Sequence, residues 1–269
     1  MNRTLILAVL LFSASALSEP LLSYERALDS GPSFSAYLVS YQSAGLKVHA
    51  MVALPDAEVP ESGFPVVVAN HGYVPNPRKY GITAEGKDSR PGDYYRSVPE
   101  LYTSRGFLVV LPDYRGHNSS EGYEQIKEQN RESVAYYADD VVALMAGLGE
   151  IEHVDLDNIF LWSHSMGGAV SIRVQLATDV IKAASYWATM PVSDLSDEFE
   201  DLNAPILIQH SSGDGSTSNS NSRDLANELQ ALQHPVVYFE YEGSDHYFEG
   251  ETRVLAADRD AEFFRALIK

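Results

Sequence analysis

A serine lies where an apolar run of the sequence turns abruptly into small residues. Ile159–Trp162 precede the stretch SHSMGG at 163–168, and an apolar helical pattern begins directly afterwards. In a nucleophile elbow a serine on a sharp strand-to-helix turn lifts its hydroxyl off the sheet, and the positions two before and two after it must be small. Ser163 and Gly167 meet this requirement, so Ser165 is predicted to be a nucleophile for acyl transfer. The alternative is a helix N-cap followed by glycines for close packing.

Two backbone amides are candidates for binding an oxyanion. The helix after Ser165 directs the N–H of Met166 and its own positive end toward the hydroxyl. A second donor is expected from the loop after the strand FPVVVANHG, where Tyr73 follows Gly72 and the glycine permits close backbone approach. Tyr73 could offer its backbone N–H and its phenol. The alternative for this loop is a plain turn with a packed tyrosine.

A serine nucleophile needs a base to take its proton and an acid to orient that base. Asp214 follows the predicted strand PILIQHS, and His246 follows VVYFEYE. The chain order serine, aspartate, histidine is that of α/β-hydrolases. Asp214 is therefore the predicted acid and His246 the predicted base. Asp194, after ATMPVS, is an alternative acid, whereas Asp245 should point away from its neighbour and be solvated.

The other histidines near these positions are not favoured as the base. His164 adjoins Ser165 in an extended segment, so by the same argument as for Asp245 it is expected to be solvated. His210 lies within a strand and is expected to be a packed, hydrogen-bonded core residue. Two more histidines flank the site and could hydrogen-bond loops: His71 and His117.

The elements that carry these residues alternate between strand and helix. This alternation predicts an α/β fold, a doubly wound, mostly parallel sheet covered on both faces, with antiparallel strands from the hairpin FSAYLVSYQSAGLKVHAMVALP. Chemistry on such a sheet gathers at the carboxyl ends of the strands, where every candidate falls. Only 191–203 separates two core strands, which leaves no room for a large cap. The lid role is expected of 75–98, whose tyrosines 80, 94 and 95 either line an acyl or aromatic pocket or pack on the surface.

Composition excludes several classes of function. The 19 Lys and Arg residues against 38 Asp and Glu residues give a net charge of −19, which argues against nucleic acid and anionic membranes as partners. The chain has no cysteine, so disulfides and thiolate metal sites are excluded. No nucleotide, zinc or calcium motif is present, so no cofactor and no metal are predicted. The oligomeric state stays open.

The N-terminus has the features of a secretory signal peptide. Arg3 is followed by the apolar run Leu5–Phe12 and by the small residues Ala14-Ser15-Ala16. We therefore expect residues 1–18 to be removed on export to the periplasm or the medium, and 19–269 to form one domain.

Five stretches together, NHGYVP, LPDYRGHNSSEG, SHSMGG, HSSGD and GSDHYF, resemble the catalytic domain of prolyl-oligopeptidase-like α/β-hydrolases. This group of dipeptidyl-aminopeptidase-like and acylaminoacyl-peptidase-like proteins is close to dienelactone hydrolases and cinnamoyl esterases, and the resemblance runs from about Val39 to the C-terminus. It implies that Ser165 is the nucleophile, Asp214 the acid and His246 the base, with Tyr73 and Met166 as the oxyanion hole. The chain departs from the usual pattern at Ser163, where glycine is expected, and at HSSGD, where HG-x-x-D is common.

The implied activity is hydrolysis of small esters or short peptides through an acyl-enzyme. Large members of the group carry an N-terminal propeller that restricts entry to short peptides, and this sequence offers no room for one. The expectation therefore leans toward a carboxylesterase. The alternative of a different class is a catalytically inert binding protein on a hydrolase fold.

Overall fold

The strands at the centre of the chain's sheet are continuous apolar runs. Val66, Val67 and Val68 are consecutive in one strand and all fully buried. Successive side chains of a strand point to opposite faces, so such a run must be covered on both sides. These strands therefore lie at the middle of the sheet, between helical layers.

The computed structural model describes residues 20–83, 85–87 and 90–268. Its sheet has nine strands: β1 (Leu22–Ala27), β2 (Phe34–Ser43), β3 (Leu46–Pro55), β4 (Phe64–Asn70), β5 (Leu108–Pro112), β6 (Val154–His164), β7 (Ile181–Trp187), β8 (Ile206–Ser211) and β9 (Val236–Tyr241). The strand order is β1-β2-β3-β5-β4-β6-β7-β8-β9. The pairings among β1, β2, β3 and β5 are antiparallel, and those from β5 through β9 are parallel. The predicted α/β fold class is confirmed. The predicted signal peptide lies outside the described residues.

The helices cover the sheet on its two faces. They are α1 (Val98–Thr103), α2 (Tyr123–Ile126), α3 (Arg131–Ala146), α4 (Met166–Ala177), α5 (Asn219–Ala231) and α6 (Glu251–Arg265). One core lies between the sheet and α3, α4 and α5, and a second lies between the sheet and α1 and α6. None of the helices in the described part of the chain is long and apolar enough to span a bilayer.

Two connections determine what surrounds the carboxyl edge of the sheet. Between β7 and β8 the chain forms a 3-10 helix, Ser193–Asp201, so no large cap domain is inserted there. Between β4 and α1 it forms two short 3-10 helices, Pro77–Lys79 and Asp93–Ser97. The second of these connections places tyrosines beside the site described next.

Candidate active site

Ser165 lies on a strained turn between β6 and α4. Its backbone has φ 55° and ψ −121°, outside the regions that residues with a Cβ ordinarily occupy. Its N–H donates to the carbonyl of Trp187 at 2.9 Å, and its own carbonyl accepts from Gly168 at 3.0 Å and Met190 at 3.2 Å. These three bonds hold the backbone in a conformation that it would not adopt alone.

The positions two residues on either side of Ser165 are crowded. A Cβ at Gly167 would lie 2.0 Å from the carbonyl oxygen of Asn70, so only glycine fits there. Ser163 is fully buried, and its hydroxyl donates to the carbonyl oxygen of Ser185 at 3.2 Å. The departure from glycine at 163 is accommodated because this side chain is directed at the neighbouring strand β7 rather than into the turn.

Asp214 and His246 form a buried pair. Nδ1 of His246 lies 2.7 Å from Oδ2 of Asp214, whose side chain is 0% exposed against 10% for the imidazole. The other carboxylate oxygen accepts from the backbone N–H groups of Ser216 at 2.7 Å and Thr217 at 2.9 Å. Burial acts to raise the pKa of Asp214, but the hydrogen bonds from His246, Thr217 and Ser216 outweigh it and lower the pKa to about 2. The carboxylate is therefore ionised at neutral pH.

A second histidine contacts the same carboxylate. Nε2 of His210 lies 3.0 Å from Oδ2 of Asp214, and its Nδ1 lies 2.6 Å from the hydroxyl of Ser222. Burial lowers the pKa of His210, so the ring is neutral, with Ser222 donating to Nδ1 and Nε2–H donating to Asp214. His210 is the packed, hydrogen-bonded core histidine that its place in a strand predicts, but its contact with Asp214 was not predicted. The signal for this contact in the sequence was the four-residue spacing of His210 and Asp214 within HSSGD.

His246 lies against the residue that precedes Ser165. The ring of His164, which precedes Ser165, lies 4.6 Å from the ring of His246 between centroids. Among the residues that the structure describes, no hydrogen bond joins the Ser165 hydroxyl to Nε2 of His246, whose Nδ1 is bound to Asp214. In substrate-free enzymes such bonds are often long or poorly aligned and tighten when substrate binds.

The prediction that His164 is solvated is wrong. The side chain is buried, with Nδ1 2.9 Å from the hydroxyl of Tyr95 and Nε2 2.9 Å from the carbonyl oxygen of His246. Burial lowers the pKa of His164 to about 3, so its ring is neutral. Because the carbonyl can only accept, Nε2 carries the proton and Nδ1 accepts from Tyr95. The cause is tertiary: β6 is an interior strand, so the loops after β4 and β9 cover the residue at its end.

The Tyr95 hydroxyl extends this network to the loop after β4. It accepts from the backbone N–H of Gly72 at 2.7 Å. A Cβ at Gly72 would lie 2.9 Å from that of Ser165, so the loop passes directly over the elbow. The bonds through Tyr95 and His164 thus connect the loop that carries Tyr73 to the loop that carries His246.

The two predicted oxyanion donors open onto the same cavity as the serine. Met166 is the first residue of α4, so its N–H has no acceptor within the helix. A cavity of about 380 Å³, here called the serine cavity, is lined by Ser165, Met166, Tyr73, Val134 and Met190, among others. An oxyanion formed on Ser165 would therefore be within the reach of both loops.

A second cavity, of about 190 Å³, is also lined by Tyr73. The three tyrosines singled out from the sequence line it, which agrees with the pocket interpretation rather than surface packing. We call it the tyrosine cavity; its walls include Tyr73, Tyr80, Tyr94, Tyr95, Tyr247 and Ile82.

The remaining acidic candidates have partners other than the imidazole of His246. Asp194 is on the 3-10 helix between β7 and β8, where it pairs with Arg173 at 3.1 Å. Asp245 is partly exposed and accepts from the backbone N–H of Tyr247 at 2.8 Å. Neither carboxylate contacts His246, whereas Asp214 does.

The two flanking histidines are packed among aromatic rings. His71 stacks between Tyr80 and Tyr114, with centroid distances of 4.4 and 4.2 Å. Burial lowers the pKa of His71 to about 4 and that of His117 well below its usual value. Within the described ranges, no cluster of three or more His, Asp or Glu side chains is arranged to hold a metal ion.

Comparison with known proteins agrees with this architecture. Residues 93–265 match the model of the Dienelactone hydrolase family. The chain is 24% identical over 246 residues to the uncharacterized peptidase YtmA of Bacillus subtilis strain 168, covering 79% of this chain and 86% of that protein.

Solved structures show the same fold. Dipeptidyl peptidase 4 of Porphyromonas gingivalis superposes with a TM-score of 0.69 at 19% identity, over 88% of this chain and 36% of that one. The acetyl xylan esterase of Paenibacillus sp. R4 superposes with a TM-score of 0.65 at 17% identity, over 93% of this chain and 90% of that one. The chain thus spans about a third of the peptidase's length and most of the esterase's length.

Proposed function

Because the chain belongs to the dienelactone hydrolase family, we propose that it hydrolyses ester or amide bonds of small substrates through an acyl-enzyme on Ser165. One observation carries the proposal. The strained serine shares a cavity with Tyr73 and Met166, and the ring of the preceding residue, His164, lies 4.6 Å from that of His246, which is bound to an ionised Asp214 at 2.7 Å. These are the groups that acyl transfer requires, at the carboxyl edge of a parallel sheet.

In the proposed reaction His246 takes the proton of Ser165 through Nε2 while the serine oxygen attacks the substrate carbonyl. The oxyanion is held by the backbone N–H groups of Met166 and Tyr73, and one such donor contributes about 3–4 kcal/mol. The imidazolium gives its proton to the leaving oxygen or nitrogen as that bond breaks. Asp214 stabilises the imidazolium and holds its Nδ1–H in place. Water then releases the acid by the same steps.

Esters are the favoured substrates in this proposal. An alkoxide or phenoxide leaves with less proton assistance than an amine, and no cap domain lies between β7 and β8 to restrict entry. A panel that compares p-nitrophenyl acetate with alanyl p-nitroanilide separates the two activities. We expect turnover of the ester at the higher kcat/KM; a higher value for the anilide would make the protein a peptidase.

A fluorophosphonate probe tests the nucleophile. We expect mass spectrometry to find the label on Ser165, and Ser165→Ala to prevent labelling. Asp214→Asn should lower kcat by about 10⁴-fold, while the matched variant Asp194→Asn, at a carboxylate on the surface, should retain activity. Labelling at another serine, no labelling, or full activity of Asp214→Asn would contradict the proposal; an inert binding protein would give no labelling.

We also propose that the protein is exported, on the basis of the signal-like segment 1–18. Expression of the full chain in a bacterial host followed by cell fractionation and N-terminal sequencing tests this. The expected result is a mature chain that begins near Leu17–Glu19 outside the cytoplasm. A cytoplasmic protein with an intact N-terminus would contradict it.

A further inference from the structure

The tyrosine cavity and the serine cavity share one residue of their walls. Tyr73, the predicted oxyanion donor, forms part of the wall of both cavities. Tyr247 follows the proposed base His246 directly in the chain, and the two rings are 5.1 Å apart between centroids. The tyrosine cavity is therefore flanked by the oxyanion loop and by the loop that carries the base.

The direction of proton transfer assigns the two cavities to the two parts of a substrate. In the first half-reaction, the Ser165 Oγ–carbon bond forms, the bond from carbon to the leaving oxygen breaks, and the proton moves from Ser165 through His246 to that oxygen. The leaving group must therefore extend toward His246 and its neighbour Tyr247. The acyl group then occupies the serine cavity, whose wall includes the apolar side chains of Met166 and Met190.

The wall of the tyrosine cavity suits an aromatic ring. Five of its side chains are tyrosines, and Ile82 adds an aliphatic surface. Aromatic pairs in offset or edge-to-face contact gain stabilisation beyond the burial of their area. The volume of about 190 Å³ is also sufficient, since an apolar cavity of about 150 Å³ binds benzene.

The cavity is preorganised. The hydroxyl of Tyr94 donates to the carbonyl oxygen of Tyr247 at 2.8 Å, and the two rings are 4.2 Å apart. The guanidinium of Arg253 lies 4.3 Å from the centroid of the Tyr94 ring, and it donates to the same carbonyl at 2.9 Å and to Ser97 at 2.8 Å. Side chains held in this way lose little conformational entropy when a ligand binds.

We propose that the tyrosine cavity is the leaving-group subsite and that it selects esters whose alcohol carries an aromatic ring. This inference rests on the function proposed for Ser165. It adds a substrate class that neither the family nor the elbow specifies: a small acyl group joined to an arylalkyl or aryl alcohol.

Three acetates test the selection by turnover. Benzyl and cyclohexylmethyl acetate have leaving alcohols of similar size and acidity, and ethyl acetate leaves the cavity empty. We expect kcat/KM for benzyl acetate to be about tenfold or more above the value for ethyl acetate. It should also be about three- to tenfold above the value for cyclohexylmethyl acetate. Equal values for benzyl and ethyl acetate would overturn the inference.

A variant that fills the tyrosine cavity tests whether the selection for an aromatic alcohol arises there. Ile82→Trp should lower the benzyl-to-ethyl ratio of kcat/KM by about tenfold. The matched control is Val180→Trp, at an exposed position directly before β7 and thus at the opposite edge of the sheet; its ratio should equal that of the wild type. A ratio that is unchanged in Ile82→Trp would overturn the assignment.

Binding of benzyl alcohol to the Ser165→Ala variant separates this inference from the proposed function, because it requires no turnover. Isothermal titration should show binding that weakens at least tenfold when Ile82→Trp is added. Fluorophosphonate labelling of Ser165 without benzyl alcohol binding would leave the proposed function intact and refute the subsite. Loss of labelling together with undiminished binding in the Ile82→Trp background would refute both.

Discussion

Replacing Tyr95 by phenylalanine removes a single oxygen from the network that joins the loop of Tyr73 to the loop of His246. That oxygen accepts from the N–H of Gly72 at 2.7 Å and donates to Nδ1 of His164 at 2.9 Å. Both of these groups are buried, and each buried polar group left without a partner costs about 1–3 kcal/mol. We expect the free energy of unfolding to fall by about 2–4 kcal/mol, a large part of the stability of a typical domain.

The same change should affect turnover. Gly72 directly precedes the proposed donor Tyr73, so a looser loop misplaces that N–H when the oxyanion forms. Complete loss of one oxyanion donor costs about 10²–10³ in kcat, and a displaced donor should cost less, about 10- to 100-fold. Because the effect falls on the transition state, KM for ethyl acetate should change little.

Urea unfolding and pH-stat kinetics with ethyl acetate measure the two effects. Tyr137→Phe is the matched control, since Tyr137 is fully buried and its hydroxyl has no hydrogen-bond partner among the described residues. Its removal should leave stability unchanged or slightly raised. The reasoning is refuted if Tyr95→Phe unfolds within 0.5 kcal/mol of the wild type, a margin typical of surface changes, and retains full kcat.

Three further outcomes follow from the geometry. The pKa of Asp214 is lowered to about 2 in the folded state, so the ionised carboxylate stabilises the fold at pH values above its unfolded pKa. This contribution, about 2 kcal/mol, disappears as the pH falls from about 4 to 2. The free energy of unfolding, measured from pH 5 to 3, should therefore fall more steeply in the wild type than in Asp214→Ala, and parallel curves would contradict this. Gly167→Ala brings a Cβ within 2.0 Å of the Asn70 carbonyl oxygen, whereas a Cβ at Gly215 meets nothing within 4 Å. Thermal unfolding should show that the free energy of unfolding falls by more than about 3 kcal/mol in Gly167→Ala and by less than about 0.5 kcal/mol in Gly215→Ala. Equal effects would mean that the turn at Ser165 can open to admit the extra carbon. Ser163→Gly removes a buried hydrogen bond to Ser185 and should destabilise by about 1 kcal/mol in urea; a more stable variant would show that the serine crowds the turn.

The parts of the fold that sequence predicts well are those set by local pattern. The continuous valines of β4 and the change from apolar strand to small residues at Ser165 each depend on neighbours in the chain. The pairing of Asp214 with His246 is also predictable from sequence, because the carboxyl ends of parallel strands are where such side chains meet. These predictions required the periodicity of apolar residues, the lengths of the segments and the order of strands and helices, but no knowledge of contacts between residues distant in the chain.

The environments of the histidines could not be derived in the same way. Whether His164 is solvated or buried depends on two loops that are about 70 and 80 residues away along the chain, one carrying Tyr95 and the other His246. Alternation along a strand says only that neighbouring side chains diverge. It does not say what each side chain meets, and at the end of an interior strand both directions are covered by protein.

Three histidines lie near Ser165 or Asp214: His164, His210 and His246. The partners of their ring nitrogens distinguish them. Burial lowers the pKa of His164 and of His210, and both rings have their two nitrogens engaged by protein groups. Protonating either ring would place a charge in the interior and turn an acceptor nitrogen that faces a hydroxyl into a donor. In His246, Nδ1 is bound to Asp214, as Nε2 of His210 is, but Nε2 of His246 has no hydrogen-bond partner among the described residues and the side chain is 10% exposed. A proton taken up at its Nε2 puts positive charge beside Asp214, where the charge is compensated. Of the three rings, His246 is therefore the one with a nitrogen left for the proton of Ser165, as the proposed mechanism requires.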